Sequence, residues 1–210
     1  MSDAPSEILH RRVRNGRKEV ERAFPPLELI DGWETYYGTI EAIQSGVPEY
    51  FWTAPAASSY DYHNPYACGE RGLWIHTLMV STAYERLVNS WVEQGLIHQH
   101  EAELGRAACL LHDLLKHGDS YEEGDTAAKD HDVRMSNLIR ERTDLDDRVA
   151  DAVASHMGPW YDGPEPDTPL QQLVHQADML ASTKNATVGI YKKPHLIGKL
   201  YPGLPGADLQ

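Results

Sequence analysis

The sequence contains little of what would mark it as a secreted or a membrane protein. Its 210 residues include only two cysteines, Cys68 and Cys109, which are too few for a disulfide framework. Cys109 falls in an apolar run, where a buried thiol that packs as a small apolar group is expected. No apolar run approaches the length needed to span a bilayer, and the first residues hold no stretch of signal-peptide type. We therefore expect a cytoplasmic protein that does not enter a membrane.

Positive charge is also scarce, since 19 Lys and Arg stand against 32 Asp and Glu and give a formal charge of −13. This balance argues against a protein that coats nucleic acid by electrostatic attraction. A nucleotide or a short single-stranded end is still compatible with it, because a metal site supplies its own local positive charge. The one dense basic cluster, in residues 6–23, predicts either a solvated helix face or an arm that binds phosphate or a partner.

Apolar residues recur at steps of three and four through most of the chain, whereas no alternating strand pattern persists. We therefore predict an all-α bundle with an N-terminal helical extension (1–58), one core domain (59–188) and an irregular C-terminal tail (189–210). The tail should be extended, wrapping or loose chain. Helices are expected at about 6–23, 33–43, 71–95 and 99–116, from a cap at Thr126 through Leu138, from Asp144 or Asp146 to His156, and from Thr168-Pro169 onwards.

Imidazoles and carboxylates interrupt the apolar faces of these helices. They are His76, His112, Asp113, His131, His156 and Asp178. One such histidine is more often a satisfied core residue than a ligand, but helices packed around a common centre would bring this whole set together. Burial of such groups is costly unless something binds them, and a metal ion is the usual partner. The ligand types suit one or two divalent transition metal ions (Mn, Ni, Co, Fe or Zn), with Asp113 able to bridge two ions.

At this point the chain resembles the HD phosphohydrolase superfamily, whose pattern is H…HD…D. The matching segments are LWIHTLMV, LLHDLLK and HQADMLAS, over about residues 60–185. Two more segments, KDHDVRMSNLI and VASHMGPW, resemble the subset with two further histidines, found in two-metal phosphodiesterases and in 3′–5′ exoribonucleases of this fold. The resemblance implies an HD-domain-like bundle. It also implies a first ion held by His76, His112, Asp113 and Asp178, and a second held by His131, His156 and the bridging Asp113.

The resemblance suggests roles for three further residues, each with a simpler alternative. Lys116 matches a lysine that contacts the substrate phosphate, and would otherwise be a helix-end lysine that complements the helix dipole. His63 either touches substrate or is a loop histidine. Arg71 is a weaker phosphate candidate and would otherwise be a surface residue.

Two departures from the family pattern also affect the site. Met157 replaces a histidine that many two-metal relatives carry, which weakens the expected second metal site. Leu115 replaces a small residue and should narrow the pocket.

His117 and His175 are near enough in sequence to orient the ligands. Aromatic residues beside the site segments either pack in the core or stack on a base; they are Tyr60, Tyr62, Tyr66, Trp160 and Tyr161.

The leading interpretation is a metal-dependent phosphohydrolase with Asp113 and Lys116 as catalytic residues. Its substrate would be a phosphate ester of a nucleotide or of a nucleic-acid end, with phosphodiesterase or exonuclease activity favoured over nucleotidase activity. One alternative is a regulatory module that binds metal and nucleotide without turnover. Another is a metal-free helical interaction protein that uses its basic N-terminal helix. Nothing in the sequence indicates an oligomeric state.

Overall fold

The computed structural model describes residues 5–57, 63–161, 163–207 and 209, and α-helices dominate these residues. The prediction of an all-α fold is therefore confirmed. In chain order the helices are α1 (Pro5–Asn15), α2 (Arg17–Ala23), α3 (Trp33–Gly46), α4 (Gly72–Glu93), α5 (Gln99–Leu111), α6 (His131–Arg142), α7 (Asp147–Ala154), α8 (Pro169–Ser182) and α9 (His195–Leu200). Short 3₁₀ turns lie at Pro25–Leu29, Glu49–Trp52, Pro65–Ala67 and Gly158–Trp160.

The centre of the fold is α4, which is buried along most of its length and packs against α5 and α8. Beside it, α6 packs against α7, and α3 contacts both α5 and α6. A group of aromatic side chains fills the space between the N-terminal segments and α4, with Trp52 lying edge-on to Trp74 at 5.3 Å and Phe24 at 5.9 Å from Trp52. The N-terminal residues therefore contribute to the same core as α4.

Two helix starts agree with the capping residues expected from the sequence. Thr168 and Gln171 form a capping box at the start of α8, and Pro169 takes the first helical position. Of the two candidates for the start of α7, Asp146 is the cap, because its side chain accepts from the Arg148 N–H.

Three predicted helix limits were wrong. The basic segment forms two helices, because Gly16 adopts an extended backbone between α1 and α2. The helix that begins at 99 ends at Leu111, and the residues that follow turn through bonds of the i→i+3 type, such as Lys116 N–H to Asp113 C=O. The next helix begins at His131 rather than after Thr126.

The C-terminal tail is more ordered than the sequence indicated. Ile190–Tyr191 (β1) and Gly206–Ala207 (β2) pair as two short parallel strands, with α9 between them. The Tyr191 N–H donates to Thr82 Oγ1 on α4, and Ile197 of α9 is buried. The tail therefore wraps against α4 and is not loose chain. Among the described residues, no helix combines the length and apolar character needed to cross a bilayer.

Candidate metal centre

Three histidines are oriented in the same way by the backbone that precedes each of them. The Nδ1 atoms of His112, His131 and His156 lie 2.9, 2.7 and 2.7 Å from the carbonyl oxygens of Cys109, Ala128 and Val153. A carbonyl oxygen can only accept, so Nδ1 carries the proton in each ring. In the neutral form of each ring the lone pair is therefore on Nε2, the atom that a metal ion would bind.

On one side of the Asp113 carboxylate lie the imidazoles of His76 and His112 and a second carboxylate. The Nε2 atoms of His76 and His112 both lie 3.5 Å from Asp113 Oδ2. Oδ1 of Asp178, on α8, lies 2.9 Å from His76 Nε2 and 3.9 Å from His112 Nε2. His76, His112 and Asp178 thus place one ligand atom each within 4.8 Å of one another, which is close enough to surround a single ion.

The other oxygen of the same carboxylate faces a second pair of imidazoles. Asp113 Oδ1 lies 3.1 Å from His131 Nε2 and 3.4 Å from His156 Nε2. His112, Asp113 and His156 form a second buried group of the kind that could hold an ion. The structure therefore brings all six candidate ligands together, with Asp113 between two halves of the cluster.

The chemistry of this cluster fits a bound divalent ion. His131 Nε2, His156 Nε2 and Asp113 Oδ1 are buried, and none has a hydrogen-bond partner among the residues that the structure describes. Buried polar atoms without partners are costly and rare. A cation bound beside Asp113 would give such atoms a partner, and a set of imidazole nitrogens with carboxylate oxygens suits a transition metal.

A comparison with known families gives the chain its classification. The family model described as HD domain matches residues 73–183, more than half of the sequence. The chain belongs to the HD-domain family. The resemblance noted in the sequence is therefore confirmed, and HD proteins are in general metal-dependent phosphohydrolases. No curated protein and no solved structure matches the chain.

Lys116 follows His112 and Asp113, the HD pair of this domain, within one turn of the chain and is almost completely buried. Its Nζ is 2.5 Å from Asp113 Oδ2. Burial opposes its charge, but Asp113 and Asp178 outweigh burial and raise the pKa of Lys116, so the ammonium form is retained. Burial likewise opposes ionisation of Asp113, yet Lys116 and His112 hold the pKa of this carboxyl well below its usual range. Both groups are therefore charged near neutral pH.

A cavity of about 570 Å³ opens from this centre towards solvent. It is lined by His63, Lys116, Met157, Trp160, Asp178, Met179, Ser182 and Thr183. His63 is therefore exposed to any molecule bound in the cavity. Its pKa is lowered, mainly by burial and to a smaller extent by the positive charge of Lys116. Met157 faces this cavity, whereas Leu115 is not among its lining residues.

Arg71 is not among the lining residues of this cavity, and its predicted phosphate contact stays a prediction. The alternative, a surface arginine, is wrong because the residue is buried. Arg71 precedes α4 with φ 61°, in the left-handed region, and its Nε lies 3.6 Å from Glu70 Oε1.

One contact around the HD centre was not predicted from the sequence. The Ser182 hydroxyl donates to Asp178 Oδ1 at 3.3 Å, and its only sequence signal is the four-residue spacing from Asp178 along α8. His175, by contrast, was expected to orient a ligand, and its Nδ1 donates to the backbone carbonyl of His156 at 2.6 Å.

Of the five aromatic residues named as packing or stacking candidates, two lie outside the described residues, namely Tyr60 and Tyr62. Tyr66 packs edge-on to Tyr201 at 5.9 Å, and Tyr161 packs edge-on to His131 at 5.3 Å. Trp160 lines the cavity.

Proposed function

We propose that this HD-domain protein is a metal-dependent hydrolase of phosphate esters whose substrate is a nucleotide or a nucleic-acid end. The observation that carries the proposal is the position of Asp113, which offers one carboxylate oxygen to each of two imidazole pairs. A bridging carboxylate between two nitrogen-rich groups is suited to two divalent ions held close together.

In this proposal the six clustered side chains divide into two ligand sets that share Asp113. His76, His112 and Asp178 would complete the first set, and His131 with His156 the second. Divalent transition metal ions (Mn, Ni, Co, Fe or Zn) supply Lewis acidity and lower the pKa of water towards neutrality, which suits attack on phosphorus.

The remaining residues around the cavity would bind and orient the phosphate. The Lys116 ammonium faces the cavity beside Asp113, where it can hold a phosphoryl oxygen and offset its negative charge. His63 presents an imidazole that is neutral near pH 7, because its pKa is lowered, and it can hydrogen-bond to an ester oxygen. Ser182 keeps Asp178 in position through its hydroxyl.

Two features favour phosphodiester cleavage at a short substrate. The order of the five ligand segments resembles that of two-metal phosphodiesterases and exoribonucleases of the HD fold. The net charge of −13 disfavours binding along a long nucleic acid, so a single nucleotide or a strand end fits better.

A second candidate is a regulatory module that binds metal and nucleotide without turnover. The feature in its favour is Met157, because a thioether stands beside His156 at the cavity where another imidazole would complete the second ligand set. Against it stands the complete set of six ligand residues in one buried cluster.

The deciding experiment is a substrate screen with the Mn²⁺-loaded protein. Mononucleotides, cyclic nucleotides, dinucleotides and short RNA and DNA would be incubated with it, and products separated by chromatography. We expect hydrolysis that a chelator or Asp113→Ala abolishes, while Asp144→Ala, which removes an exposed carboxylate, leaves it intact.

Two other results would decide against hydrolysis. Tight nucleotide binding by calorimetry, with no product from any of these compounds, would establish the binding module instead. Less than about one equivalent of metal in the purified, folded protein would point to the metal-free interaction protein.

A further inference from the structure

Both polar and apolar side chains line the cavity beside the candidate metal centre. The charged lining residues are Lys116 and Asp178, next to the clustered imidazoles, and His63, Ser182 and Thr183 add further polar groups. Met157, Trp160 and Met179 are the apolar lining residues. An occupant that satisfies both kinds of lining carries a charged oxyanion for Lys116 and an apolar surface for these three side chains.

Two of the apolar lining residues directly follow candidate metal ligands in the sequence. Met157 follows His156 in the chain, and Met179 follows Asp178 on α8. Both thioether side chains therefore line the cavity beside residues of the candidate metal centre. Thioethers are polarisable and make favourable contacts with aromatic rings.

Trp160 lies on a short turn, and packing contacts stabilise the turn on both sides of this residue. On one side, His175 donates to the His156 carbonyl, and Gly158 has φ +57° with its backbone packed against the His175 ring. A Cβ at position 158 would lie 3.0 Å from that ring, and the positive φ is one that residues with a side chain rarely adopt, so both features favour glycine. On the other side, Tyr161 packs edge-on against His131. The turn is therefore fixed, although the Trp160 side chain itself is largely exposed.

The exposure of Trp160 has no packing explanation. The residue is 70% exposed, and Met179, which lines the same cavity, is 40% exposed. Trp33 is exposed to the same extent, but it lines a different cavity that also contains Glu34, Glu41 and Asp144, which would repel an anion. Within the described part of the chain, only Trp160 combines an exposed indole with a nearby lysine and the imidazole cluster.

We infer that Trp160, Met157 and Met179 form a base-binding subsite, so that the substrate is a nucleotide unit whose base stacks on the indole while its phosphate lies at Lys116. This inference rests on the proposed function for the position of the phosphate. Stacking on an indole tolerates any base, because every base has a π-face. The subsite therefore selects for the presence of a base and not for its identity.

The test compares two ligands that differ only in the base, adenosine 5′-monophosphate and ribose 5-phosphate. Their dissociation constants would be measured by calorimetry with the full, Mn²⁺-loaded protein, so that the readout does not depend on turnover. We expect the nucleotide to bind at least about tenfold more tightly. Trp160→Ala should weaken nucleotide binding by about 5- to 150-fold and leave ribose 5-phosphate unaffected.

Two variants serve as controls. Trp160→Phe keeps an aromatic face and should retain most of the preference for the nucleotide, whereas Trp33→Ala should change neither constant. Equal affinity of the wild type for the two ligands, or an equal loss for both in Trp160→Ala, would overturn the inference. A preserved preference for the nucleotide without hydrolysis of any ester would refute the proposed function but not the base subsite.

Discussion

The ammonium of Lys116 lies 2.5 Å from Oδ2 of Asp113, the oxygen that also faces His76 and His112. Asp113 Oδ2 therefore contacts the positively charged Lys116 and also lies beside the first group of candidate metal ligands. A phosphate bound at this point would meet positive charge from the lysine as well as from an ion. This relationship separates two functions that mutagenesis can distinguish, namely metal binding and phosphate stabilisation.

Replacement of Lys116 should impair catalysis without removing the metal. In Lys116→Met the imidazole and carboxylate ligands are intact, but the phosphate loses its nearest protein cation. We expect kcat on the best substrate of the screen to fall by about 10²- to 10³-fold, as for the loss of one preorganised donor. Metal content measured by elemental analysis should stay at the wild-type value.

The matched control for this variant is Lys192→Met, because Lys192 is exposed and pairs with Glu28 on the surface. It should leave kcat unchanged. Wild-type kcat in Lys116→Met would contradict the phosphate role and favour a lysine that only neutralises Asp113.

The shared carboxylate predicts a graded loss of metal among variants of the ligands. Asp113→Asn should lose both ions, because Asp113 belongs to both halves of the cluster. His131→Gln should lose only the second ion, since its Nε2 faces Asp113 Oδ1 and the other half of the cluster remains. Elemental analysis after dialysis gives the stoichiometry directly.

Thermal unfolding provides an independent check of this series. Added Mn²⁺ should raise the Tm of the wild type in a concentration-dependent way, because an ion that binds only the folded protein stabilises it. The increase should be absent in Asp113→Asn. Equal stoichiometry in the two variants would rule out the bridging position of Asp113.

The six clustered residues could be identified from the sequence because imidazole and carboxylate groups stand out at core positions of helical repeats. The residues at which the surrounding helices begin and end could not be identified from the sequence. His112 to Lys116 leave the helix in i→i+3 turns, and α6 starts at His131, because backbone contacts across the site outweigh local preference. The burial of Arg71 was equally unpredictable, since its backbone N–H bonds to Thr53, far away in sequence.

The arrangement of residues around the cavity was also not predictable from the sequence. Met157 and Trp160 are neighbours of a ligand in the sequence, yet their position at the cavity depends on how the turn at 158–160 packs against His175 of α8. Periodicity reports which face of one helix is apolar, and it does not report how a loop meets a second helix.

A glycine on α5 should be intolerant of even the smallest side chain. A Cβ at Gly105 would lie 2.0 Å from the hydroxyl oxygen of Tyr84, a fully buried residue of α4 whose hydroxyl donates to Ala102 C=O. We expect Gly105→Ala to lower the free energy of unfolding by about 1–3 kcal/mol, the usual cost of overpacking. Urea denaturation measures it.

Gly198→Ala provides the comparison, because Gly198 also lies within a helix and its nearest contact would be Lys193 Cε at 3.8 Å. There the gain in helix propensity should stabilise by up to about 1 kcal/mol. Equal effects of the two substitutions would show that propensity, and not the contact with Tyr84, governs position 105.

The cap of α7 should give the protein a charge-dependent contribution to stability that is lost in acid. Asp146 accepts from the Arg148 backbone N–H at 3.0 Å, and the Arg148 guanidinium lies 2.9 and 2.7 Å from its two oxygens. The hydrogen bonds from Arg148 outweigh partial burial and lower the pKa of Asp146 from 3.8 to about 2. Because the folded protein holds the carboxylate ionised, the contribution is complete above about pH 4 and disappears as the pH falls through about 2.

Asp146→Asn isolates this contribution, since asparagine remains a good cap but carries no charge. Asp146 is about one-third exposed, so solvent screening limits the expected loss to about 0.5–1 kcal/mol at pH 7. Urea denaturation from pH 7 to pH 3 should show the difference between wild type and Asp146→Asn shrinking below pH 4. Asp144→Asn, at the exposed position two residues earlier, corrects for the general effect of removing one negative charge. A difference that stays constant over the whole range would mean that the ionised carboxylate contributes nothing, and that the cap acts through its hydrogen bond alone.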